Sequence, residues 1–226
     1  MISKIFYNTS EYKKIQNKIK NFLNRYPRFL SRDTVMSTRA VGDAIQHILE
    51  ENFPTLIGDV SKNYSAGFAR RAMADLAFQD QNGLYYIVDV KTHRLETKFN
   101  MPNLTSVERL ARFYEDDANY YVVLMVTYSI VREVDICVKK VNFVPIEFLS
   151  WKCLTIGALG WGQIQIANAN KIDVIPGYSR KRWMLQLCEN LFEFYPLEIE
   201  KVKVRMAYFR KIRTQWEQKE DIWKQE

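Results

Sequence analysis

Two aspartates and a lysine lie where two strand-like runs flank a turn. Asp75 stands in the first run, AMADLAFQ, and Asp89 and Lys91 stand in the second, LYYIVDVKT. The intervening DQNG is typical of a tight turn, so the sequence predicts a β-hairpin. Side chains alternate faces along a strand, so Asp89 and Lys91 share a face. A three-residue turn at Gln81–Gly83 puts Asp75 opposite Asp89.

These three side chains suggest phosphoryl-transfer chemistry. The apolar residues around Asp89 indicate a buried strand, and two neighbouring carboxylates there resist joint ionisation. A hard cation such as Mg²⁺ removes that conflict, so we expect Asp75, Asp89 and the Val90 carbonyl to be its ligands. Lys91 would orient or polarise an attacking water and offset charge in the transition state. A salt-bridged strand at a sheet surface is the alternative, because this spacing also arises by chance.

Composition limits the class of protein. The 226 residues are 47% hydrophobic and 26% charged, which predicts a globular domain with a substantial core. The net charge of +7 favours a polyanionic partner, although a solvated basic surface is an equal alternative. Three scattered cysteines and two histidines match neither a disulfide framework nor a zinc site. With no signal-peptide pattern and no spanning apolar run, a cytoplasmic protein without a membrane partner is expected.

The surrounding patterns predict an α/β fold, a mixed central β-sheet flanked by α-helices. Helices are predicted at 10–26, 38–52, 106–116, 180–194 and 197–219. Strands are predicted in the hairpin, at 120–130, at 134–144 and within 154–166. Ser10 and Thr105 should cap helices, Glu108 should complete a capping box, and Pro54 should end the second helix. We expect one domain, with an N-terminal helical arm at 1–36, a core at 37–178 and C-terminal helices at 179–226.

At the hairpin the sequence resembles the PD-(D/E)xK nuclease superfamily. Asp75 matches the first acidic position, with Ala74 where proline often stands, and Asp89-Val90-Lys91 matches the D-x-K. The run DVKTHRLETKFNMPN is similar to the corresponding stretch of restriction endonucleases of the EcoRV and HincII branch. Gly42-Asp43 resembles a Gly–acid pair of that family, which makes Asp43 a candidate accessory carboxylate. Two later matches keep the family's order, Trp161 with Gln163-Ile164-Gln165, and Ser179 to Trp183.

The resemblance implies a restriction-endonuclease-like core and a magnesium-dependent type II enzyme. Enzymes of that branch are homodimers that cut palindromic double-stranded DNA to blunt ends. An AT-rich site would suit the Lys-, Ile- and Asn-rich composition. The N-terminal helix and the helix from Thr38 are the candidate dimer interface. Two alternatives stay open: a structure- or damage-specific repair or junction nuclease on the same core, and a non-catalytic DNA-binding protein.

Three segments are candidates for holding DNA: SKNYSAGFARR from Ser61, the loop from His93 to Leu104, and ALGWGQIQIANANK from Ala158. Their alternatives are a solvated basic loop, ordinary turn chemistry and a half-buried strand. The resemblance places Asn100 at the DNA and Asn103 on the bases. Basic residues from Arg180 onward are phosphate contacts or a solvated helix face. The candidate DNA-binding residues are Lys62, Asn63, Tyr64, Arg70, Arg71, Thr92, Lys98, Asn100, Asn103, Trp161, Gln163, Gln165, Asn168 and Asn170.

Overall fold

The structure is a computed structural model that describes residues 2–7, 10–26, 31–64, 75–132, 134–158 and 160–221. The chain divides into two compact units, residues 1–183 and 184–226. The described helices are α1 Glu11–Asn24, α2 Arg32–Met36, α3 Thr38–Ile57, α4 Val107–Phe113 and α5 Arg180–Glu217. The described strands are β1 Ser61–Tyr64, β2 Leu76–Asp80, β3 Tyr85–Arg94, β4 Asn103–Ser106, β5 Asn119–Val131, β6 Asp135–Pro145, β7 Leu154–Gly157 and β8 Gln163–Ile166.

The first unit contains two β-sheets. Five strands form a mixed sheet in the order β1-β2-β3-β5-β6, and three form a smaller sheet in the order β4-β8-β7. β3 and β5 pair in parallel, because the chain between them crosses over through β4 and α4. All other pairs between the described strands are antiparallel. The predicted α/β class, with a mixed sheet and helices, is confirmed.

The two parallel strands form the centre of the large sheet and are buried along most of their length. Val88 on β3 and Val122 on β5 are fully buried and pair with each other. A strand with both faces covered has a nearly continuous apolar sequence, as VVLMV in β5 does. Asp89 therefore lies in the most buried part of the sheet, where an ionised side chain is costly.

Helix α1, predicted as a helix from its apolar spacing, packs on β6, the outer strand of the large sheet. Tyr12, Ile15, Ile19 and Leu23 form its buried face. Asn24 accepts a 2.8 Å hydrogen bond from the Val138 amide and donates one of 3.1 Å to the Val138 carbonyl. This bonding occupies backbone groups at the exposed edge of β6, which would otherwise be open to pairing with another chain. Ser10 precedes α1 but makes no capping hydrogen bond through its side chain.

Helix α3 is longer than predicted, because Pro54 lies inside it instead of ending it. A proline has no N–H to donate to the carbonyl four residues earlier, which here belongs to Glu50. The Tyr64 hydroxyl donates a 2.9 Å hydrogen bond to that carbonyl instead. The helix continues to Ile57 and ends at Gly58, whose φ of +57° suits glycine.

Two further sequence predictions were wrong in detail. The N-cap of α4 is Ser106, whose hydroxyl accepts from the Arg109 amide at 3.2 Å, and Thr105 lies on β4. The capping box with Glu108 is therefore out of register by one residue. The two predicted C-terminal helices form the single helix α5, with Pro196 inside it. Pro196 is exposed, so water can bind the carbonyl that loses its partner.

None of the described helices has an apolar stretch long enough to cross a membrane.

Candidate active site

The hairpin has the predicted register. Leu76 pairs with Val88 and Gln79 with Tyr85, and Leu76 is the last residue of β2 in this ladder. The Asp75 amide donates at 3.1 Å to the Val88 carbonyl, which belongs to the residue opposite Leu76, so Asp75 departs from the regular ladder by one residue while its side chain still interacts with Asp89. The turn consists of residues 81–83, and Gly83 has the positive φ, +81°, that such three-residue turns require.

Asp89 and Lys91 form a close ion pair on one face of β3. Lys91 Nζ lies 2.6 Å from Asp89 Oδ1, and the Asp89 side chain is only 7% exposed. The second oxygen, Asp89 Oδ2, is buried and has no hydrogen-bond partner among the described residues. The buried hydroxyl of Tyr121 makes no hydrogen bond of regular geometry either, but it interacts with the Asp89 carboxylate and lowers its pKa. Lys91 and Tyr121 are therefore the two groups that partly compensate the charge of Asp89.

Burial raises the pKa of Asp89 to about 7. The neighbouring Lys91 ammonium opposes this rise, whereas the negative charge of Asp75 adds to it. Burial also raises the pKa of Asp75, against the Val90 amide and Lys91, which favour its ionised form. Both carboxyl groups are thus held where their negative charge lacks full compensation.

Asp75 is fixed from two sides. Its Oδ2 accepts a 2.7 Å hydrogen bond from the Val90 amide, and its Oδ1 accepts one of 2.9 Å from Gln46 Nε2. Gln46 also donates to Glu50 Oε1 at 2.9 Å, so α3 orients it. Sequence analysis missed Gln46, although it lies three residues after Asp43 and so on the same helix face. Tyr121 was missed as well, because it reaches the site only through the parallel pairing of β3 and β5.

Helix α3 approaches β3 unusually closely at Gly42. A Cβ atom on Gly42 would lie 2.8 Å from Thr92 Oγ1, nearer than packed atoms allow. Next to this contact is an open cleft of about 450 Å³, lined among others by Asp43, Lys91, Thr92 and Asn100. The structure thus brings these four sequence-predicted residues to one place. Arg39 and Arg94, which sequence analysis did not single out, line the same cleft.

The donor groups suit a hard cation that keeps most of its waters. The described part of the chain holds no cluster of three or more His, Cys, Asp or Glu side chains ready to bind a metal. Magnesium, however, commonly uses one or two protein carboxylates and completes its shell with water and substrate phosphate. Asp75 and Asp89 Oδ2 provide that minimum. The Val90 amide is used by Asp75, and a role for the Val90 carbonyl as a ligand stays a prediction.

Several predicted DNA-binding side chains bond within the protein. Asn170 Oδ1 lies 2.8 Å from His93 Nε2, and Asn170 Nδ2 donates to the Thr97 carbonyl at 2.9 Å. Asn168 Oδ1 accepts from the Asn170 amide at 3.0 Å, as in an ordinary Asx turn. Together these bonds tie the loop after β3 to the segment after β8. The Asn100 carbonyl accepts from the Ala169 amide at 2.8 Å in the same junction.

The small sheet carries three more of the predicted residues, and the turn between β7 and β8 carries a fourth, Trp161. Asn103 on β4 pairs with Gln165 on β8, and their side chains are hydrogen-bonded. Gln163 and Trp161 line a second open cleft, of about 410 Å³. Trp161 is 78% exposed, an unusual position for so large an apolar side chain.

The remaining candidates are dispersed. Lys62 and Asn63 are exposed on the edge strand β1, and Lys98 is exposed in the loop after β3. The Tyr64 hydroxyl donates its hydrogen bond to the Glu50 carbonyl of α3. Arg70 and Arg71 lie outside the described residues.

Arg180 is neither a phosphate contact nor part of a solvated face. It lies over the rings of Tyr114 and Tyr120 at 4.2 and 4.1 Å. Its Nε donates to the buried Glu147 carboxylate at 3.1 Å. A charged residue in this setting is part of the core, because a buried glutamate needs a paired cation.

Comparison with known proteins does not place the chain in a family. No protein-family model matches the chain, and a search of curated proteins finds no significant match.

Proposed function

We propose that this protein is a magnesium-dependent DNA endonuclease of the restriction-enzyme type, built on a restriction-endonuclease-like core. One observation carries the proposal: the buried Asp89, whose Oδ2 makes no hydrogen bond of regular geometry, lies beside Asp75 and Lys91, and Lys91 lines an open cleft. A purely structural Asp–Lys pair does not require a second carboxylate or a half-satisfied buried oxygen. Perturbed carboxyl pKa values beside a cleft favour a functional site.

The side chains would divide the work as follows. Asp75 and Asp89 would hold Mg²⁺, and the Gln46 and Val90 hydrogen bonds keep Asp75 in a fixed orientation for it. The bound cation supplies charge that stabilises the phosphoryl transition state and lowers the pKa of a water. Lys91 orients the attacking water and its ammonium offsets the negative charge that develops on the phosphoryl oxygens. Asp43 serves as an accessory carboxylate at the cleft.

The cleft supports a polyanionic substrate. Arg39, Lys91 and Arg94 line it beside one carboxylate, Asp43, with Lys91 also paired to Asp89 and Arg94 to Glu96. The chain as a whole has a net charge of +7, which favours association with a phosphate backbone. Trp161 and Gln163, which line the second cleft, are the candidates for base contacts. We further propose a cytoplasmic homodimer that cuts palindromic double-stranded DNA, with blunt ends and an AT-rich site as the expected specificity.

Cleavage of duplex DNA tests the proposal directly. Purified protein is incubated with plasmid and genome-sized DNA in Mg²⁺, beside an EDTA sample and the Lys91→Ala variant. Lys140→Ala is the matched control, since Lys140 is an exposed lysine on β6. We expect discrete fragments from the wild type and Lys140→Ala only, and sequencing of their ends gives the site and cut position.

Other outcomes separate the alternatives. Cleavage only at junctions, flaps or damaged bases would assign a repair-type nuclease on the same core. DNA binding without cleavage, unchanged in Lys91→Ala, would assign a binding protein. Intact DNA in every sample, genome-sized substrate included, would contradict the nuclease assignment.

A further inference from the structure

Helix α5 carries a seven-residue repeat of apolar side chains within the second unit, residues 184–221. One row runs at steps of seven through Leu185, Phe192, Ile199 and Met206, and reaches Arg213. A second row runs through Cys188, Tyr195, Val202, Phe209 and Trp216. The rows are offset by three residues, so they occupy the a and d positions of a heptad repeat. Only Arg213 breaks the apolar pattern.

The repeat lies on an exposed surface. Phe192 is 69% exposed, Val202 50%, and Phe209 and Trp216 64% each. The helix has 38 residues, and the repeat extends over more than four heptads of it. A strict seven-residue spacing corresponds to 3.5 residues per turn, which keeps such a stripe against a partner helix in a left-handed coiled coil. Pro196 falls at an e position, so it stands beside the seam and not in it.

We infer that α5 forms an antiparallel coiled coil with α5 of a second copy of this chain. The flanking charges select both the partner and the direction. With Ile199 facing Val202 of the second copy, each Glu198 faces an Arg205 and each Glu189 faces an Arg210. Leu191 and Ile212 face each other in the same register. None of these flanking pairs joins two like charges.

The parallel arrangement is less favourable. It would pair Glu198 with Lys203 of the second copy, but it would also set Arg205 against Arg210 on both sides. It would further place the two Arg213 side chains together inside the seam. Like charges that face each other in this way are destabilising. The sequence of one helix is therefore complementary to itself when reversed.

This pairing does not depend on the proposed cleavage chemistry. The seam uses residues 185–217, and the candidate active site uses residues of α3 and the hairpin. The Lys91→Ala variant should therefore remain dimeric whatever its activity. Failure of the dimer and failure of the nuclease assignment are for this reason separate results.

Sedimentation of the full chain measures the association. We expect the wild type to sediment as a dimer of the 26.8 kDa chain, and Val202→Glu to sediment as a monomer at the same concentration. Val204→Glu is the matched control, since Val204 is 69% exposed on the same helix but lies at an f position away from the seam. It should stay dimeric. Circular dichroism of both variants checks that α5 remains helical.

Cross-linking measures the direction. In the antiparallel register Cys188 faces Arg213 of the second copy, whereas the two Cys188 residues lie roughly 40 Å apart along the axis. Oxidation of the Cys137→Ser variant should therefore join few chains. Adding Arg213→Cys to this variant should give efficient disulfide-linked dimers. Arg205→Glu should weaken the dimer, and Glu198→Arg combined with it should restore the association.

Three results would overturn the inference. A wild-type monomer at tens of micromolar would exclude the pairing. Efficient Cys188–Cys188 cross-linking, or a stronger dimer in Arg205→Glu, would indicate the parallel arrangement instead. Equal effects of Val202→Glu and Val204→Glu would show that the seam is not where the heptads place it.

Discussion

The two ends of the β2–β3 hairpin each hold a buried aspartate, and the two carboxylates differ in how many hydrogen-bond donors surround them. At the turn, Asp80 is 2% exposed and accepts from the Asn82 and Leu84 amides at 2.8 and 3.0 Å and from the Tyr86 hydroxyl at 3.0 Å. At the open end, Asp89 is 5% exposed and pairs with Lys91, and its second oxygen makes no hydrogen bond of regular geometry although the Tyr121 hydroxyl interacts with it.

The difference separates a structural carboxylate from a functional one. The donors of Asp80 come from its own turn and from the next strand, so folding alone completes its environment. Folding leaves Asp89 incomplete within the described residues, with a raised pKa and a second carboxylate beside it. Burial by itself therefore says little about function. What distinguishes the two residues is whether the protein supplies the groups that their charge requires.

The largest expected effect is on cleavage. Asp89→Asn should lower the rate of DNA cleavage by about 10²–10³-fold or more, because it removes a charged group that acts on the transition state. Asp80→Asn should leave the rate per folded molecule unchanged. Single-turnover kinetics on the identified substrate measure both, with the folded fraction determined by circular dichroism. Equal losses of cleavage rate in the two variants would mean that Asp89 is no more functional than Asp80.

For stability, we expect the larger loss from a substitution of Asp80 and the smaller loss from one of Asp89. Asp80→Ala leaves the Asn82 and Leu84 amides without their acceptor, whereas the Tyr86 hydroxyl keeps Ser3 Oγ at 2.8 Å, so it should reduce the free energy of unfolding by about 1–3 kcal/mol. Asp89→Ala removes a half-satisfied buried charge and should cost less in metal-free buffer, although it also leaves Lys91 without its partner. Urea denaturation with EDTA compares the two. A greater loss in Asp89→Ala would mark Asp89 as the more structural residue.

The pH dependence of the free energy of unfolding should come from Asp89, at the open end of the hairpin. The folded-state pKa of Asp89 is raised to about 7 from an ordinary 3.8, so folding favours its protonated form. That contribution is complete below pH 4 and is lost as the pH rises to about 7, with a slope no steeper than about 1.4 kcal/mol per pH unit. Unfolding of the wild type and Asp89→Asn in EDTA, from pH 4 to 8, should show this difference.

Magnesium provides the matching control for that titration. At pH 8, added Mg²⁺ should stabilise the wild type and not Asp89→Asn, because only the wild type retains the second carboxylate. A flat difference between wild type and variant across the pH range would contradict the raised pKa. Equal stabilisation of both proteins by Mg²⁺ would place the cation elsewhere.

The smallest expected effect concerns a single donor at the turn. Tyr86→Phe removes one of the hydrogen bonds to Asp80, together with the 2.8 Å hydrogen bond to Ser3 Oγ, and keeps the ring that stacks on Phe78. It should cost about 0.5–1.5 kcal/mol of stability. Chemical denaturation measures this, and cleavage should not change. A cost above that of Asp80→Ala would mean that the bond to Ser3, and not the bond to Asp80, is the main contribution of this hydroxyl.

Local patterns in the sequence predicted the hairpin well, because the turn length alone sets its register. They were less successful where a distant residue completes an element. Pro54 does not end α3, since Tyr64 supplies the missing donor from another strand, and no local pattern indicates that bond. Gln46 and Tyr121 reach the carboxylates through helix packing and parallel pairing, both of which require the fold. Dividing α5 at Pro196 also concealed its seven-residue spacing.

The contact between Gly42 and Thr92 requires a residue without a side chain at this point of α3. Threonine is stiff at its first side-chain torsion, so Thr92 cannot readily turn aside to admit a methyl group at residue 42. Any larger residue at this position would push α3 outward and draw Gln46 away from Asp75. The alignment of the carboxylates thus depends on a residue that has no side chain of its own. Screening for chemically active residues would pass over Gly42, whereas a scan with alanine would find it.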